Sequence, residues 1–341
     1  MSEPLRLAAV GLVHDHIWGA LDHLRADSRA TLVAVADDNA PLRRRVIEEY
    51  GARNEYTSVD DLLAHESVDA ILCGSENNRH APIVEAAAAR GVHVMAEKPM
   101  AASYEQARRM LDAARRAGIT LMINWPTAWS RAINQALTLA REGRIGKLFY
   151  LKYHAGHNGP RELGCSEYFY SWLFDAEKNG PGALMDYCCY GADFAAYLLG
   201  TPQFVACAGG KFVKDYDIPL DNAVILMQYA GSVGIAEASW TQIGHPPYYE
   251  LVLMGSAGSI VAGHHDDAVT LVTPEAPNGQ KVPAPELPRG RDNEVAYFIS
   301  CLLEKTSPDG LVDPEVGLAA QQILEAGARA VKDHTMVPLP L

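Results

Sequence analysis

The sequence predicts an α/β protein in two parts: a doubly wound parallel sheet first, then an α+β unit with an open, mostly antiparallel sheet. Three observations predict it. Short strands apolar on both faces alternate with helices through residue 123, the pattern of a parallel sheet covered on each side. After Asn124 the rhythm changes to closely spaced strands joined by turns such as Gly231-Ser232 and Ser256-Ala257-Gly258. Finally, 341 residues exceed one typical core, so the expected domains are 1–123 and 124–341.

Taken in order, Leu5–Val10 reads as a strand and Ile17–Arg25 as the helix that follows it. Ala30–Ala36 is a near-continuous apolar strand, and Pro41–Tyr50 a helix whose proline suits the first turn. Ser58 is placed to cap Val59–His65. Strands Ala70–Gly74, His93–Glu97 and Thr120–Ile123, with helices Ala81–Arg90 and Tyr104–Ala117, complete the first unit. In the second, helix Arg131–Arg141 leads to strand Lys147–His154. Further strands are expected at Phe204–Phe212, Ala223–Tyr229, Gly234–Trp240, Tyr248–Gly255, Ser259–Ala262 and Ala268–Thr273. Proline-rich Pro274–Gly290 reads as a surface loop, and Asn293–Leu303 and Pro314–Lys332 as helices.

Composition narrows the function classes. A net charge of −13 argues against nucleic acid or an anionic membrane as partner. No apolar run approaches a membrane span, and Leu5–Val13, which holds Arg6 and precedes no Ala-x-Ala pattern, reads as a strand rather than a signal peptide. The six cysteines form no Cys-x-x-Cys pair, so buried free thiols in a reducing cytoplasm are expected. His14-Asp15-His16 and the pair His154 and His157 suggest metal ligands. Neighbours on one turn do not all converge on one ion, however, and no cysteine accompanies them, so no metal is expected.

The chemistry sits at strand ends. The first strand runs into Gly11-Leu12-Val13-His14-Asp15-His16, where only the first glycine of a Gly-x-Gly-x-x-Gly dinucleotide turn stands. The second strand ends in Asp37, about 26 residues on, where a carboxylate accepts from adenosine ribose hydroxyls. Asp38 adds negative charge against a 2′-phosphate, so NAD is expected over NADP; Asp37 also suits a helix cap. The strand His93–Glu97 then delivers Lys98 and stops on Pro99, placing a cation where a substrate would meet the cofactor.

With these residues in view, the chain resembles the Gfo/Idh/MocA oxidoreductases, the glucose–fructose oxidoreductase and inositol dehydrogenase group. The resemblance covers essentially the whole chain. It rests on Gly11, on Val33-Ala34-Val35-Ala36-Asp37, and on Ser75-Glu76-Asn77-Asn78-Arg79-His80, where the family often has Thr-Pro-Asn-x-x-His. Glu97-Lys98-Pro99, Arg144-Ile145-Gly146, Gly180-Pro181-Gly182-Ala183-Leu184-Met185-Asp186 and Gly255-Ser256-Ala257-Gly258-Ser259 extend it. It implies a Rossmann domain binding NAD, a second domain whose sheet forms a homodimer or homotetramer interface, and a cis Lys98–Pro99 peptide. The cofactor contacts it implies are Gly11, Val13, His14, Asp37, Ser75, Asn77, His80, Glu97, Lys98 and Asn124. Two departures stand out: Val13 and His16 replace later glycines, and Tyr190 occupies the position where the family's Asp-x-Gly-x-His-x-x-Asp has histidine. The glucose–fructose oxidoreductase and dimeric dihydrodiol dehydrogenase branches resemble this chain in using tyrosine there.

The activity implied is hydride transfer between NAD and a secondary alcohol of a sugar, sugar derivative or cyclitol. Asp186, Tyr190 and Asp193 at i, i+4 and i+7 share one helix face. Tyr190 is the candidate base, with Lys98 expected to lower its pKa and to hold the substrate oxygen, and Asp186 to orient. A half-buried tyrosine at a domain seam fits the same spacing. Expected substrate contacts are Lys98, Trp125, His154, His157, Tyr168, Trp172, Asp186 and Tyr190, although Tyr168–Trp172 reads equally as a packed segment. Competing readings are glycoside cleavage through transient oxidation by retained NAD, and a non-enzymatic NAD-binding regulator.

Overall fold

The structure is a computed structural model that describes residues 3–244 and 250–341. The first unit runs β1 (Leu5–Leu12), α1 (His16–Ala26), β2 (Ala30–Ala36), α2 (Ala40–Tyr50), β3 (Asn54–Tyr56), α3 (Val59–His65), β4 (Ala70–Gly74), α4 (His80–Ala88), β5 (His93–Glu97), α5 (Tyr104–Ala117) and β6 (Leu121–Asn124). Its six strands are ordered β3-β2-β1-β4-β5-β6, and the paired strands run parallel. The order reverses between β1 and β4, which opens a crevice at their carboxyl ends. Local signals act as the sequence implies. Ser58 and Ser103 cap α3 and α5 by accepting from Asp61 and Gln106 N–H, and Pro41 sits in the first turn of α2.

The chain continues through α6 (Arg131–Arg141), β7 (Leu148–Gly156), α7 (Glu167–Leu173), α8 (Ala183–Leu199), β8 (Phe204–Gly210), β9 (Asn222–Gln228), β10 (Val233–Ser239), β11 (Leu251–Gly255), β12 (Gly258–Ala262), β13 (Ala268–Thr273) and β14 (Ala276–Pro283). It ends with α9 (Glu294–Glu304), α10 (Pro314–Asp333) and the short β15 (Val337–Pro338). The second sheet is ordered β14-β13-β12-β11-β7-β10-β9-β8-β15, antiparallel except for the β7–β10 pair. Helix α8 lies across β7 and β10, and α10 bridges α5 and α8. Helix α9 returns to the first unit, where His23 meets Glu294 at 2.8 Å and Arg29 meets Ser300 at 2.9 Å. All six cysteines are free.

Three elements differ from the sequence expectation. Pro274–Gly290 contains β14, because an edge strand has one row of groups with no ladder partner and so tolerates Pro277 and Pro283. The strand expected to reach Phe212 stops at Gly210, since the amides of Phe212, Val213 and Lys214 donate to the Asp221 carboxylate instead of a ladder. The expected strand Tyr248–Gly255 begins partly outside the described residues and is seen as Leu251–Gly255.

Close contact between α8 and β10 fixes the helix that carries Asp186 and Tyr190. A Cβ on Gly191 would lie 2.4 Å from Ala236 Cβ and 2.8 Å from its Cα, atoms that cannot swing away. Gly191→Ala should therefore destabilise the fold by about 1–3 kcal/mol, as overpacking does. A denaturation midpoint equal to wild type would contradict this packing.

Candidate functional site

The groove is built on glycine at its first turn. Gly11 has φ +73°, and a Cβ there would lie 2.5 Å from Ser75 Cβ, so the β1 turn and the β4 loop touch with no room for a side chain. Leu12 N–H donates to Asp37 Oδ2 at 2.6 Å, while Asn39 donates from its backbone and side chain to Oδ1 at 2.7 and 2.8 Å. Burial raises the Asp37 pKa and these bonds oppose it. Asp37 thus keeps little acceptor capacity beyond a ribose hydroxyl. Asn77 donates to Asn179 Oδ1 at 2.8 Å, and its own buried Oδ1 has no partner among the described residues. The glycine cradle, the ribose-side carboxylate and this open acceptor fit a dinucleotide.

Val13 and His14 are buried because α7 covers the turn. The Trp172 indole donates to Val13 carbonyl at 3.4 Å, Ser166 N–H donates to Asp15 at 2.8 Å, and the His14 ring lies 4.6 Å from that of Phe169. Trp172, expected at the substrate, is instead a brace for this turn. His14 Nδ1 accepts from His16 N–H, which leaves the proton on Nε2; burial keeps the ring neutral. His80 is wholly buried, with Nδ1 3.1 Å from Met100 carbonyl and Nε2 3.3 Å from Ser75 carbonyl. Its neutral ring has one N–H to donate to these two carbonyls, and its enclosure between them ties the β4 loop to the loop after Lys98.

The centre of the site is an ion pair. Lys98, joined to Pro99 by a cis bond, donates from Nζ to Asp186 Oδ1 at 2.8 Å, and Trp240 Nε1–H donates to Asp186 Oδ2 at 3.1 Å. Burial disfavours both charges, but each partner overrides it, so Lys98 is held well above its usual pKa and Asp186 below its own. Lys98 Nζ stands 5.0 Å from the Tyr190 ring centre and 5.8 Å from that of Tyr187. Beside it, Glu97 accepts from Asn124 Nδ2 at 2.7 Å and meets His16 Nδ1 at 3.1 Å. Burial would raise its pKa, but His16, Asn124 and Lys98 lower it further than burial raises it. Asn124 is used on both sides, since Trp129 donates to its Oδ1 at 2.9 Å.

Tyr190 departs from expectation electrostatically. Burial raises its pKa by more than Lys98 lowers it, so the phenol keeps its proton at neutral pH. His157 belongs to the same cluster. Its Nδ1 accepts from Gly159 N–H at 2.8 Å, its ring lies 4.8 Å from that of Tyr187, and burial drops its pKa to about 4. It is therefore a neutral ring with its proton on Nε2, a hydrogen-bond donor.

Three other expected contacts lie elsewhere. His154 follows Tyr153, whose ring meets Phe194 of α8 at 4.9 Å, so alternation puts His154 on the opposite face of the sheet with Glu237 and Gln242, each at 2.9 Å. Trp125 is fully buried behind Tyr190, their ring centres 6.0 Å apart. Tyr168 is an exposed residue of α7. Sequence reasoning missed Trp240, Tyr187 and Asn179. Tyr187 had a signal in its adjacency to Asp186, whereas the other two are brought in from distant chain.

His14, His16 and Glu97 place ligand-type atoms within 4.8 Å of one another. The proton on His14 Nε2 and the adjacent Lys98 charge, which acts on both His14 and Glu97, suit an anion-facing turn better than a cation.

Fold and groove together define an oxidoreductase of the NAD-binding Rossmann class, and the comparisons agree. The family profile described as oxidoreductase family, NAD-binding Rossmann fold, matches residues 8–125, and the GFO/IDH/MocA C-terminal domain profile matches residues 133–261. The chain belongs to the GFO/IDH/MocA oxidoreductase family, as its motifs imply. A myo-inositol 2-dehydrogenase of Thermotoga maritima is 25% identical over 341 residues, 96% of each chain. An aldose-aldose oxidoreductase from Caulobacter crescentus complexed with glycerol has a TM-score of 0.82 at 22% identity, over 99% of this chain and 100% of that one. The WlbA dehydrogenase from Bordetella pertussis in complex with NADH and UDP-GlcNAcA has a TM-score of 0.81 at 21% identity, over 99% and 100%. At these identities the two solved structures establish a shared fold. Among the described residues no helix is long and apolar enough to cross a membrane.

Asp193, one turn beyond Tyr190, is buried with both oxygens unpartnered among the described residues, and burial holds its pKa well above the carboxylate range. In the unfolded chain it ionises near pH ~3.9. Above that pH the unfolded state gains from ionisation and the folded state does not, so Asp193 erodes stability as pH rises toward its folded pKa. Asp193→Asn should remove that erosion, by up to about 1.4 kcal/mol per pH unit. Parallel stability–pH curves for the two proteins would show the carboxyl to be ionised in the fold.

Proposed function

We propose that this protein transfers a hydride between NAD and a secondary alcohol carbon of a sugar, sugar derivative or cyclitol. The observation that carries the reading is the Lys98–Asp186 pair at 2.8 Å, set beside Tyr190 where β5 ends at the mouth of a dinucleotide fold. A regulator that only bound NAD would have no use for a buried cation aimed past the cofactor groove. The inositol dehydrogenase relative and the UDP-GlcNAcA named in one related structure support the substrate class.

Bound NAD supplies the hydride acceptor. This chain's residues hold the alcohol and manage its proton. Lys98, fixed by the Asp186 carboxylate and backbone carbonyl, offers its remaining N–H donor to the substrate oxygen and stabilises the charge that grows there. His157 donates from Nε2 to a neighbouring hydroxyl. Tyr190 exchanges the reacting proton. Because it carries a proton at neutral pH, it is set to protonate the oxygen during carbonyl reduction and must first lose that proton for alcohol oxidation.

Alcohol oxidation should therefore rise with pH into the alkaline range, while carbonyl reduction should hold level and fall only where the phenol ionises. Tyr190→Phe should lower kcat by about 10²–10⁴-fold, flatten the alkaline rise and leave NAD affinity nearly unchanged. Retention of more than about a third of kcat would remove Tyr190 from the reaction, since general acid–base groups contribute far more. Lys98→Ala should cost at least as much and also weaken binding. A panel of polyols, sugars and glycosides read by NADH absorbance tests the substrate class, and glycoside turnover without net NADH would move the reading to transient oxidation.

We also propose that the second sheet's open face, where Phe204, Val224, Leu226 and Met254 are exposed, is covered by a second copy. Sedimentation should give a dimer or tetramer; a lone 37.0 kDa species at micromolar concentration would overturn this.

A further inference from the structure

Loops 157–166 and 211–221 meet beside the reactive centre, through contacts that the proposed chemistry does not use. The first leaves β7 with His157 and bends at Gly159 (φ +116°) and Gly164 (φ +80°), so little of its own backbone fixes it. The second is built on Asp221, a fully buried carboxylate that accepts the successive amides of Phe212, Val213 and Lys214 at 2.8, 2.8 and 2.9 Å. From that base the Lys214 side chain, only 11% exposed, reaches across to the first loop. Its Nζ donates to the Asn158 carbonyl and meets Glu162 Oε1 at 2.6 Å, while Tyr216 donates to Glu162 at 3.1 Å. Gly159 lies against this pair, since a Cβ there would stand 2.8 Å from Lys214 Nζ and 2.2 Å from Glu162 Oε2. The Gly159 N–H in turn donates to His157 Nδ1 at 2.8 Å and sets which way the ring faces.

We infer that Lys214 is a positioning residue for substrate selection: by clamping Asn158 and Glu162 it holds His157 so that Nε2–H meets one hydroxyl beside the reacting carbon. The inference rests on the proposed hydride transfer and deepens it by naming what sets the substrate contact. Asp221 gives the two substrate-facing donors a common origin. Its carbonyl accepts from Trp240 N–H at 2.8 Å, and the Trp240 indole holds the Asp186 carboxylate that fixes Lys98. The Lys98 donor at the reacting oxygen and the His157 donor at its neighbour are thus both spaced from one buried residue. A substrate whose hydroxyls do not match that spacing leaves one donor unpaired in the cleft, which disfavours it. Without the Lys214 ammonium, Asn158 loses its donor and Glu162 its countercharge, so Gly159 and the ring it orients gain freedom.

Steady-state kinetics on the full chain test the assignment, with the panel polyol or sugar of highest kcat/KM and its single-deoxy analogues as probes. With wild type, one analogue should lose at least about fivefold in kcat/KM, as when a donor in a closed site is left unpaired. Lys214→Met should raise KM for the parent compound about tenfold and keep kcat within about threefold, because Lys98, Asp186 and Tyr190 retain their contacts. The same variant should shrink the penalty on that analogue to less than about twofold, and in a His157→Ala background it should change kcat/KM by less than about twofold. Glu162→Gln should act in the same direction and carries the test if Lys214→Met does not fold. An undiminished deoxy penalty in the variant that folds, or an equal loss with and without His157, makes Lys214 a structural brace and overturns the inference alone. Wild type that turns over every deoxy analogue as well as the parent does the same. Failure of wild type to exchange hydride with any member of the panel, in either direction, overturns the hydride-transfer reading and the inference together.

Discussion

A buried ion pair joining the two sheets is the constraint on which the site depends. Lys98 leaves the last residue of β5, Asp186 sits in the first turn of α8, and Trp240 follows β10 to hold the second carboxylate oxygen. Removing one partner of such a pair strands the other charge, at about 3–5 kcal/mol. The surrounding backbone is built to meet it. Gly182 opens α8 at φ +62°, where a Cβ would lie 2.5 Å from Leu220 carbonyl, and the carboxylate then stands at the favourable N-terminal end of the helix dipole. Stability and chemistry draw on the same two residues, because the lysine that binds β5 to α8 is also the cation at the centre of the cleft.

Burial sorts the remaining groups by one rule, that the neutral form wins wherever no opposite charge is in contact. Tyr153, Tyr187, Tyr190 and Cys189 are pushed up; His14, His80 and His157 are pushed down. What stays ionised is Lys98, Asp186 and Glu97, a slightly negative centre suited to a cationic ring beside it. Tyr190 illustrates the balance. Its sequence position beside a lysine suggests a lowered phenol pKa, yet a lysine already neutralised by Asp186 has little field to spare, and desolvation prevails.

The parts of this arrangement legible in sequence were those written locally. Strand ends announce Gly11, Asp37 and Lys98, and the i, i+4 spacing announces Asp186 with Tyr190, because both are periodic features of one segment. What was not legible depended on register or on distant chain. His154 and His157 look equivalent three residues apart, but strand parity sends the first to the far face, while the second lies just past the end of β7 and is free of it. His80 matched a motif position, and only tertiary burial shows its ring enclosed between the Ser75 and Met100 carbonyls. Trp240 gave no signal because its partner lies 54 residues away.

The degenerate phosphate turn follows from the same logic. A glycine is irreplaceable where the backbone takes a positive φ or where two chains touch, and Gly11 meets both conditions. Val13 and His16 do not take a positive φ. Loss of glycine there removes the close approach of backbone to a ligand, and α7 takes up the freed side of the turn: Trp172 on Val13, Phe169 on His14, Ser166 on Asp15. The second unit thereby fixes this turn. A preorganised turn costs less ordering when the dinucleotide arrives, which offsets the phosphate interactions that glycines at those positions would have allowed. Closure of α7 onto β1 and the Lys98–Asp186 pair are then two clamps between the same two units, one at the phosphate end of the groove and one at its reactive end.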